Sequence, residues 1–358
     1  MHGRSALLAL VLAGQALTQT ALDPIAQLGR EIENRKTVVR FDPDRGYLPW
    51  LLETLDIPTE SQMLVFSKTG VQALRTEPAN PRRIYFNDSV IVATVNGGPI
   101  EIAAQDPNHG LMFYLLDQTP FRYREFAERA TRVSPFSRRT DCLHCHGTGT
   151  TGVAATLIRS VVTDSSGAPL DSFGSRETDN RTPFDQLWGG WFVTGKATGK
   201  HMGNTVTSGG RHLPVVPVSH SDVAALLVFE HQTRIMSLIA RVKLTGQGVD
   251  ELARAMLFLD EAKLPEKVEG SSGFAEKFME RGPKDRAGHS LRDLDLTTRL
   301  QRYPCSYMIY SEAFQALPGT VKAHLYHRIA EQNDPDVNAI LAETLAGFKS
   351  AAPSAGSR

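Results

Sequence analysis

The sequence predicts an α+β fold in which a strand-rich N-terminal half packs against an α-helical C-terminal half. Residues 63 to 116 alternate short β-branched and aromatic runs with turn residues, and after Ser221 apolar residues recur at helical spacing instead. With 358 residues, of which 41% are hydrophobic and 22% charged, the chain is long enough to bury a sizeable core. We expect an export signal at 1–21, a strand-rich domain at 22–220, a helical region at 221–350 and a disordered tail at 351–358.

Short apolar runs between turn residues predict an antiparallel sheet in the first half. The runs are MLVF, RIYF, SVIVATV, PIEIAA and GLMFYLL. The Asn96-Gly97-Gly98 turn between the third and fourth runs is typical of a β-hairpin. Beyond the sheet, the pattern predicts a helix at 122–133, strands at 157–162 and 191–194, and a glycine-rich loop at 195–210.

Helical periodicity dominates after residue 221. Asp222 is a good N-cap, and the predicted helix runs from there to about Val242 with Leu227, Ile235 and Leu238 on one stripe. Shorter helices are expected at 250–262, 274–281, 310–317, 320–332 and 335–348.

Composition excludes several classes of protein. The 39 basic and 39 acidic residues balance, which argues against a general binder of nucleic acid or of anionic membranes. Three cysteines cannot make a disulfide-dense scaffold.

The N-terminal segment has the three-part pattern of a secretory signal. Arg4 precedes an apolar run from Ala6 to Ala13, and small residues at Gly14 and Ala16 suit signal peptidase. The run is much shorter than the roughly 20 residues that span a bilayer, and no later stretch is predicted to be long and apolar enough for a membrane helix. We therefore expect a periplasmic or secreted protein without a membrane span.

The motif with the strongest chemical meaning is Cys142-Leu143-His144-Cys145-His146. C-x-x-C-H is the pattern of covalent haem attachment, in which the two cysteines bond the porphyrin and the histidine ligates the iron. Because the motif occurs once, one haem c is expected, with Cys142 and Cys145 as its attachment points and His146 as its proximal ligand. The alternatives are a C-x-x-C redox disulfide and a structural zinc site, and the chain has no second C-x-x-C or C-x-x-H pair for zinc.

Together with this motif, two further segments suggest a relationship. CLHCHG, then WGGWFVTGKATGKHMGN at 188–204 and YPCSYMIYSEAF at 303–314, resemble segments of exported bacterial mono-haem cytochrome-c-domain proteins. The resemblance covers most of the mature chain and implies a haem protein, but it implies no particular reaction. With the predicted strands, it also argues against the minimal all-α cytochrome c fold.

The sixth iron ligand is expected in the segment GKHMGN. Met202 is favoured, with His201 as the alternative, because flanking glycines allow the backbone to approach a ring closely. The competing interpretation is that Met202 packs against the ring edge and His201 faces solvent. His231, on the apolar stripe of the long helix, is expected to be a core residue rather than a ligand.

Several other residues have two interpretations. Trp188 and Trp191 are candidate haem contacts, although packing in the sheet is the favoured interpretation. Cys305 is expected to be a buried, unreactive thiol. A local excess of arginine precedes the motif and suits haem propionates or an acidic redox partner, or is a solvated surface; these residues are Arg122, Arg124, Arg129, Arg132, Arg138 and Arg139.

These observations leave two classes of function. The favoured one is an exported c-type cytochrome that transfers electrons between periplasmic partners. The alternative is a haem enzyme with an open or displaceable sixth iron position, such as a peroxidase-like oxidoreductase, or a haem-based sensor. The size of the chain motivates the alternative, because a simple carrier needs only one small domain.

Overall fold

The computed structural model describes residues 21–119, 134–147 and 153–348. The predicted signal segment up to residue 20, the predicted helix at 122–133 and the predicted tail at 351–358 therefore lie outside the described residues.

An antiparallel sheet forms the centre of the described structure. Within the described residues, six strands pair in sequential order, and the turn at Asn96-Gly97-Gly98 joins the third to the fourth as predicted. The strands are β1 Met63–Val65, β2 Arg82–Phe86, β3 Val90–Thr94, β4 Ile100–Asp106, β5 Gly110–Leu116 and β6 Phe136–Arg138. The sheet with its accompanying helices confirms the α+β prediction.

Both faces of the sheet are covered, which explains its runs of consecutive apolar residues. Side chains alternate between the two faces, so that Val90 and Val92 enter one core while Ile91 and Ala93 enter the other. The first core packs against helices α1 (Pro24–Glu33) and α2 (Leu48–Thr54), which the sequence analysis did not predict. The second core extends to the C-terminal helices and contains residues from both halves of the chain.

Smaller strand pairs follow the sheet. β7 (Ile158–Val161) pairs with β8 (Ser175–Thr178), and β9 (Thr205–Ser208) pairs with β10 (Arg211–Pro214). β9 begins inside the glycine-rich stretch that was predicted to be a loop. The strand predicted at 191–194 is wrong, because that stretch makes only isolated bridges.

Helices dominate the rest of the described chain. After the short helix α3 (Leu143–His146), they are α4 Val223–Thr245, α5 Val249–Met256, α6 Phe274–Glu280, α7 Glu312–Gln315, α8 Gly319–Glu331 and α9 Pro335–Thr344. The prediction for α4 is accurate, including Asp222 as its N-cap. The predicted helix at 250–262 is too long, since the chain leaves helical geometry at Phe258, where φ is +53°.

Helix α4 is the central helix of the fold. By length and composition it could cross a membrane, and it is the one helix among the described residues that could; 94% of its apolar window is buried inside the protein. A helix enclosed in a protein core passes the same test, so the finding is weak support for a span and remains compatible with the prediction of none.

Polar side chains are buried along α4. Glu230 is only 2% exposed, His231 is fully enclosed, and Arg234 is buried beside them. The ring of His231 stacks on Phe258 with 4.3 Å between ring centroids, and its Nε2 lies 2.7 Å from the hydroxyl of Ser306. Burial lowers the pKa of His231 to about 3, so the ring is neutral, as suits the core role expected for it.

The N-cap of α4 also ties the helix to a distant loop. Oδ1 of Asp222 accepts from the N–H groups of Ala224 (2.8 Å) and Ala225 (3.2 Å). Oδ2 accepts from the N–H groups of Ser271 (2.6 Å) and Ser272 (2.7 Å). One buried carboxylate therefore accepts hydrogen bonds from backbone N–H groups both at the start of the central helix and in the loop that precedes α6.

We predict that Asp222→Ala lowers the free energy of unfolding by about 3 to 5 kcal/mol, because it removes a helix cap and leaves several enclosed N–H groups without an acceptor. Chemical denaturation would measure the change. The matched variant Asp222→Asn keeps one carbonyl oxygen for the cap and should lose less. Equal losses for the two variants would contradict the dual role of this carboxylate.

Glu230 is predicted to make stability depend on pH. Burial raises its pKa from 4.5 to about 8, so between these values the folded state holds a proton that the unfolded state has released. The free energy of unfolding therefore falls as pH rises through this window, by at most about 1.4 kcal/mol per pH unit for this group. Denaturation of wild type and Glu230→Gln from pH 6.5 to 8 should show the variant losing less stability; parallel curves would refute the assignment.

Candidate functional site

The C-x-x-C-H motif lies on a single helical turn, α3 (Leu143–His146), with Cys142 as its N-cap residue. The amide N–H groups of Cys145 and His146 both donate to the carbonyl of Cys142, at 3.2 and 3.0 Å. Because residues three apart share one face of a helical turn, the thiols of Cys142 and Cys145 are presented together. Both are free thiols, with Cys142 partly buried and Cys145 exposed.

The imidazole of His146 is oriented by the backbone. Its Nδ1 lies 2.9 Å from the carbonyl oxygen of Ala155, which can only accept a hydrogen bond, so Nδ1 carries the proton and Nε2 keeps its lone pair. The amide N–H of Ala155 in turn donates to the carbonyl of His146 at 2.8 Å. This pairing gives the ring the tautomer and the fixed orientation that a metal-ligating histidine requires.

The β-sheet also contacts the ring of His146. The ring packs on Phe113 of β5, with centroids 5.0 Å apart. Burial lowers the pKa of His146, and the nearby Arg82 guanidinium adds to that effect. Arg82 is ion-paired with Glu101 of β4. The imidazole is therefore held neutral, the form that can coordinate a metal.

The position of Ala155 depends on helix α4. The hydroxyl of the adjacent Thr156 donates to the carbonyl of Thr233 at 3.0 Å, and its amide N–H donates to the hydroxyl of Ser237 at 3.1 Å. Nothing in the sequence pattern marks Ala155 or Thr156 as partners of the motif, because they act through backbone groups and long-range contacts.

The candidates for the sixth ligand lie in a second group of residues. The ring of His201 contacts the indole of Trp188 edge to face, with centroids 5.5 Å apart. Its Nδ1 accepts from the N–H of Gly203 at 3.1 Å, which places the ring proton on Nε2. Burial lowers the pKa of His201. In this arrangement neither ring nitrogen of His201 has a lone pair free for a metal.

Met202 is held differently. Its amide N–H donates to the carbonyl of Leu187 at 2.9 Å, and its sulfur accepts from the hydroxyl of Ser160 at 3.6 Å. A thioether is a weak acceptor, so this sulfur is more easily released than the nitrogens of His201. Among the described residues, no hydrogen bond or ring contact joins His201 or Met202 to His146.

The two candidate tryptophans are core residues. The indole N–H of Trp191 donates to the carbonyl of Arg159 at 2.8 Å. Trp188 is 1% exposed with φ at +66°, and its indole N–H has no hydrogen-bond partner among the described residues. Packing explains Trp191, whereas the buried N–H of Trp188 is a donor that a bound group could use.

The remaining residues of interest lie outside this centre. The ring of His144 is exposed, with Nδ1 2.9 Å from the carbonyl of Asp141, and Cys305 is fully buried, which raises its pKa to about 12. Arg139 pairs with Asp141, while Arg122, Arg124, Arg129 and Arg132 lie outside the described residues. Of the arginine-rich segment expected to meet an acidic partner, the structure therefore describes only the C-terminal end, which contains Arg138 and Arg139.

The donor set fits a covalently attached haem better than the other motif chemistries. Two free thiols sit on one turn beside a neutral imidazole whose lone pair is on Nε2. Among the described residues, no group of three or more His, Cys, Asp or Glu side chains is placed to hold a metal ion, so a protein-only zinc site has no donor set there.

Comparison with known proteins adds no relative to these observations: no protein-family model, no curated protein and no solved structure matches the chain.

Proposed function

We propose that this chain is an exported c-type cytochrome with one covalently bound haem, and that it transfers electrons between redox partners in the periplasm or outside the cell. The observation that supports it most directly is the hydrogen bond from Nδ1 of His146 to the carbonyl oxygen of Ala155, which leaves the lone pair of this imidazole on Nε2. The ring directly follows the two thiols in the chain. In this proposal Cys142 and Cys145 form thioether bonds and His146 ligates the iron. The bound haem supplies an iron that alternates between its ferric and ferrous states.

The surroundings of His146 suit a group that changes charge without changing shape. Phe113, Ala155 and the tie to α4 hold the imidazole in place, and such rigid support limits reorganisation when the charge changes. The partners are proposed to be proteins, with an acidic partner recognised by the arginines that precede the motif. Export to the periplasm rests on the pattern of residues 1–21.

Met202 is proposed as the sixth ligand, because its sulfur would exchange only a weak hydrogen bond from Ser160 for the iron. His201 would have to give up the hydrogen bond from Gly203 or move its ring proton.

A second candidate function is a haem oxidoreductase or sensor with an open sixth position. It is favoured by the described contacts, in which His201 and Met202 are engaged elsewhere and neither touches His146. In that case a small molecule, rather than a side chain, would occupy the second face of the haem.

The attachment is tested with Cys142→Ala/Cys145→Ala and the matched variant Cys305→Ala, each exported in a bacterium that matures c-type cytochromes. We expect mass spectrometry and the pyridine haemochrome spectrum to find one covalent haem in wild type and Cys305→Ala, and none in the double variant. A wild-type chain that is isolated without haem, with a Cys142–Cys145 disulfide or with bound zinc, would overturn the proposal.

Carbon monoxide separates the two candidate functions. For an electron-transfer protein ligated by Met202, the ferrous wild type should not bind carbon monoxide, Met202→Ala should bind it rapidly, and His201→Ala should behave as wild type. Rapid binding by unaltered ferrous protein, followed in the Soret region, would instead support the oxidoreductase or sensor.

A further inference from the structure

Two arginine side chains outside the motif, those of Arg82 and Arg159, lie near the ring of His146. Arg82 begins β2, and Arg159 lies in β7. Burial is the main cause that lowers the pKa of His146, and the charges of Arg82 and Arg159 lower it further. Both guanidinium groups are therefore close enough to the imidazole to act on it by charge.

A continuous series of contacts joins the two arginines. Arg82 is paired in register with Val65 of β1, and Val65 forms an isolated bridge with Trp191. The indole N–H of Trp191 donates to the carbonyl oxygen of Arg159 at 2.8 Å. The backbone positions of the two arginines are thus fixed relative to each other by the sheet and by a buried indole.

The guanidinium of Arg82 is oriented by Glu101. Its Nη2 donates to Oε2 of Glu101, and Nε2 of Gln72 donates to Oε1 of the same carboxylate at 2.8 Å. Because β3 separates β2 from β4, the side chain of Arg82 reaches across one strand to meet Glu101. The guanidinium is thereby directed toward β5, the strand whose Phe113 contacts the ring of His146.

Arg82 nevertheless has a donor without a partner. Its Nε is buried and makes no hydrogen bond among the described residues. A guanidinium has five N–H donors, and an unpaired buried polar atom in a native protein calls for an explanation. A bound group that accepts hydrogen bonds would supply the missing partner.

Arg159 has a charge that is only loosely paired. Its Nη2 lies 3.9 Å from a carboxylate oxygen of Glu177, which is too far for a hydrogen bond, and both side chains are partly exposed. An exposed ion pair of this kind contributes little to stability. The guanidinium of Arg159 can therefore exchange Glu177 for a hydrogen-bonded anion at little cost.

We propose that Arg82 and Arg159 bind the two carboxylate groups of the haem, Arg82 through its unpaired Nε and Arg159 through its guanidinium fork. This inference rests on the proposed function. Haem carries two propionate carboxylates, and charge-assisted hydrogen bonds from arginine are among the strongest that a carboxylate accepts. Without such partners, burying an anionic edge of the haem beside His146 would be costly.

The two described arginines that precede the motif have other partners. Nη2 of Arg138 donates to the sulfur of Met112 at 3.7 Å, and Met112 packs into the core on the opposite face of the sheet from Phe113. Arg139 is paired with Asp141. Arg138 is therefore a matched control, since it is an arginine near the motif in sequence but on the other side of the sheet.

Resonance Raman spectroscopy of the covalent holoprotein tests the proposal, because the bending band of the haem propionates reports their hydrogen bonds. We expect Arg159→Gln and Arg82→Lys to shift this band, whereas Arg138→Gln should leave it at its wild-type position. Lysine keeps the charge that pairs with Glu101 and removes the Nε donor, so Arg82→Lys tests the hydrogen bond without leaving the carboxylate of Glu101 unpaired. Arg159→Gln, at a partly exposed position, serves if Arg82→Lys does not fold.

The reduction potential of the same samples separates charge from hydrogen bonding. Arg159→Gln should lower the potential, because a haem carboxylate without its counter-charge favours the more positive ferric iron. Arg82→Lys keeps its charge and should change the potential less than Arg159→Gln does.

An unchanged propionate band in both variants would overturn the proposal, as would an equal shift in Arg138→Gln. Added acetate should leave the wild-type band in place; a shift caused by acetate would mean that the arginines bind dissolved carboxylates instead. A wild-type chain without haem overturns the proposed function itself, whereas haem-loaded variants with an unaltered band overturn this inference alone.

Discussion

The arrangement around the motif depends on the two hydrogen bonds by which helix α4 holds Thr156. They fix the backbone at Ala155, and the carbonyl of Ala155 fixes the tautomer of His146. Helix α4 is itself held from the sheet, since the side-chain amide of Gln105 donates to the carbonyl of Met236 at 3.1 Å. The short turn that carries the thiols is thereby connected to the long, buried helix α4.

The parts of the fold that sequence could predict are those with local causes. The hairpin at Asn96-Gly97-Gly98 and the start of α4 at Asp222 follow from turn and cap chemistry that acts within a few residues. Helix α1 has an equally local signal, since Asp23 caps it and Pro24 follows, but this signal directly adjoins the segment predicted to be an export signal. The strand predicted at 191–194 failed because aromatic residues favour strands only where a partner strand is available.

The candidate site likewise has residues that local sequence patterns predict and others that they do not. Cys142, Cys145 and His146 are readable because their chemistry is encoded by spacing along five residues. Met202 accepts from Ser160, 42 residues earlier, and Glu230 accepts from Thr178, 52 residues earlier. Patterns of residue spacing along the sequence cannot predict contacts at such separations. The ionisable residues inside the apolar stripe of α4 are nevertheless a visible signal, because a buried helix seldom carries Glu, His and Arg within one turn and a half.

Burial also separates the three cysteine thiols of the chain by chemical access. Cys145 is exposed and Cys142 partly so, whereas Cys305 is enclosed and its pKa is raised to about 12. A thiol reacts as its thiolate, so Cys305 in the folded chain is shielded both from contact with a reagent and from ionisation. In an oxidising compartment, folding alone would therefore keep the third cysteine from forming mixed disulfides with the pair in the motif. Only a chain that is still unfolded could mispair its cysteines, so the order of folding and thiol oxidation determines whether Cys305 stays apart from the motif.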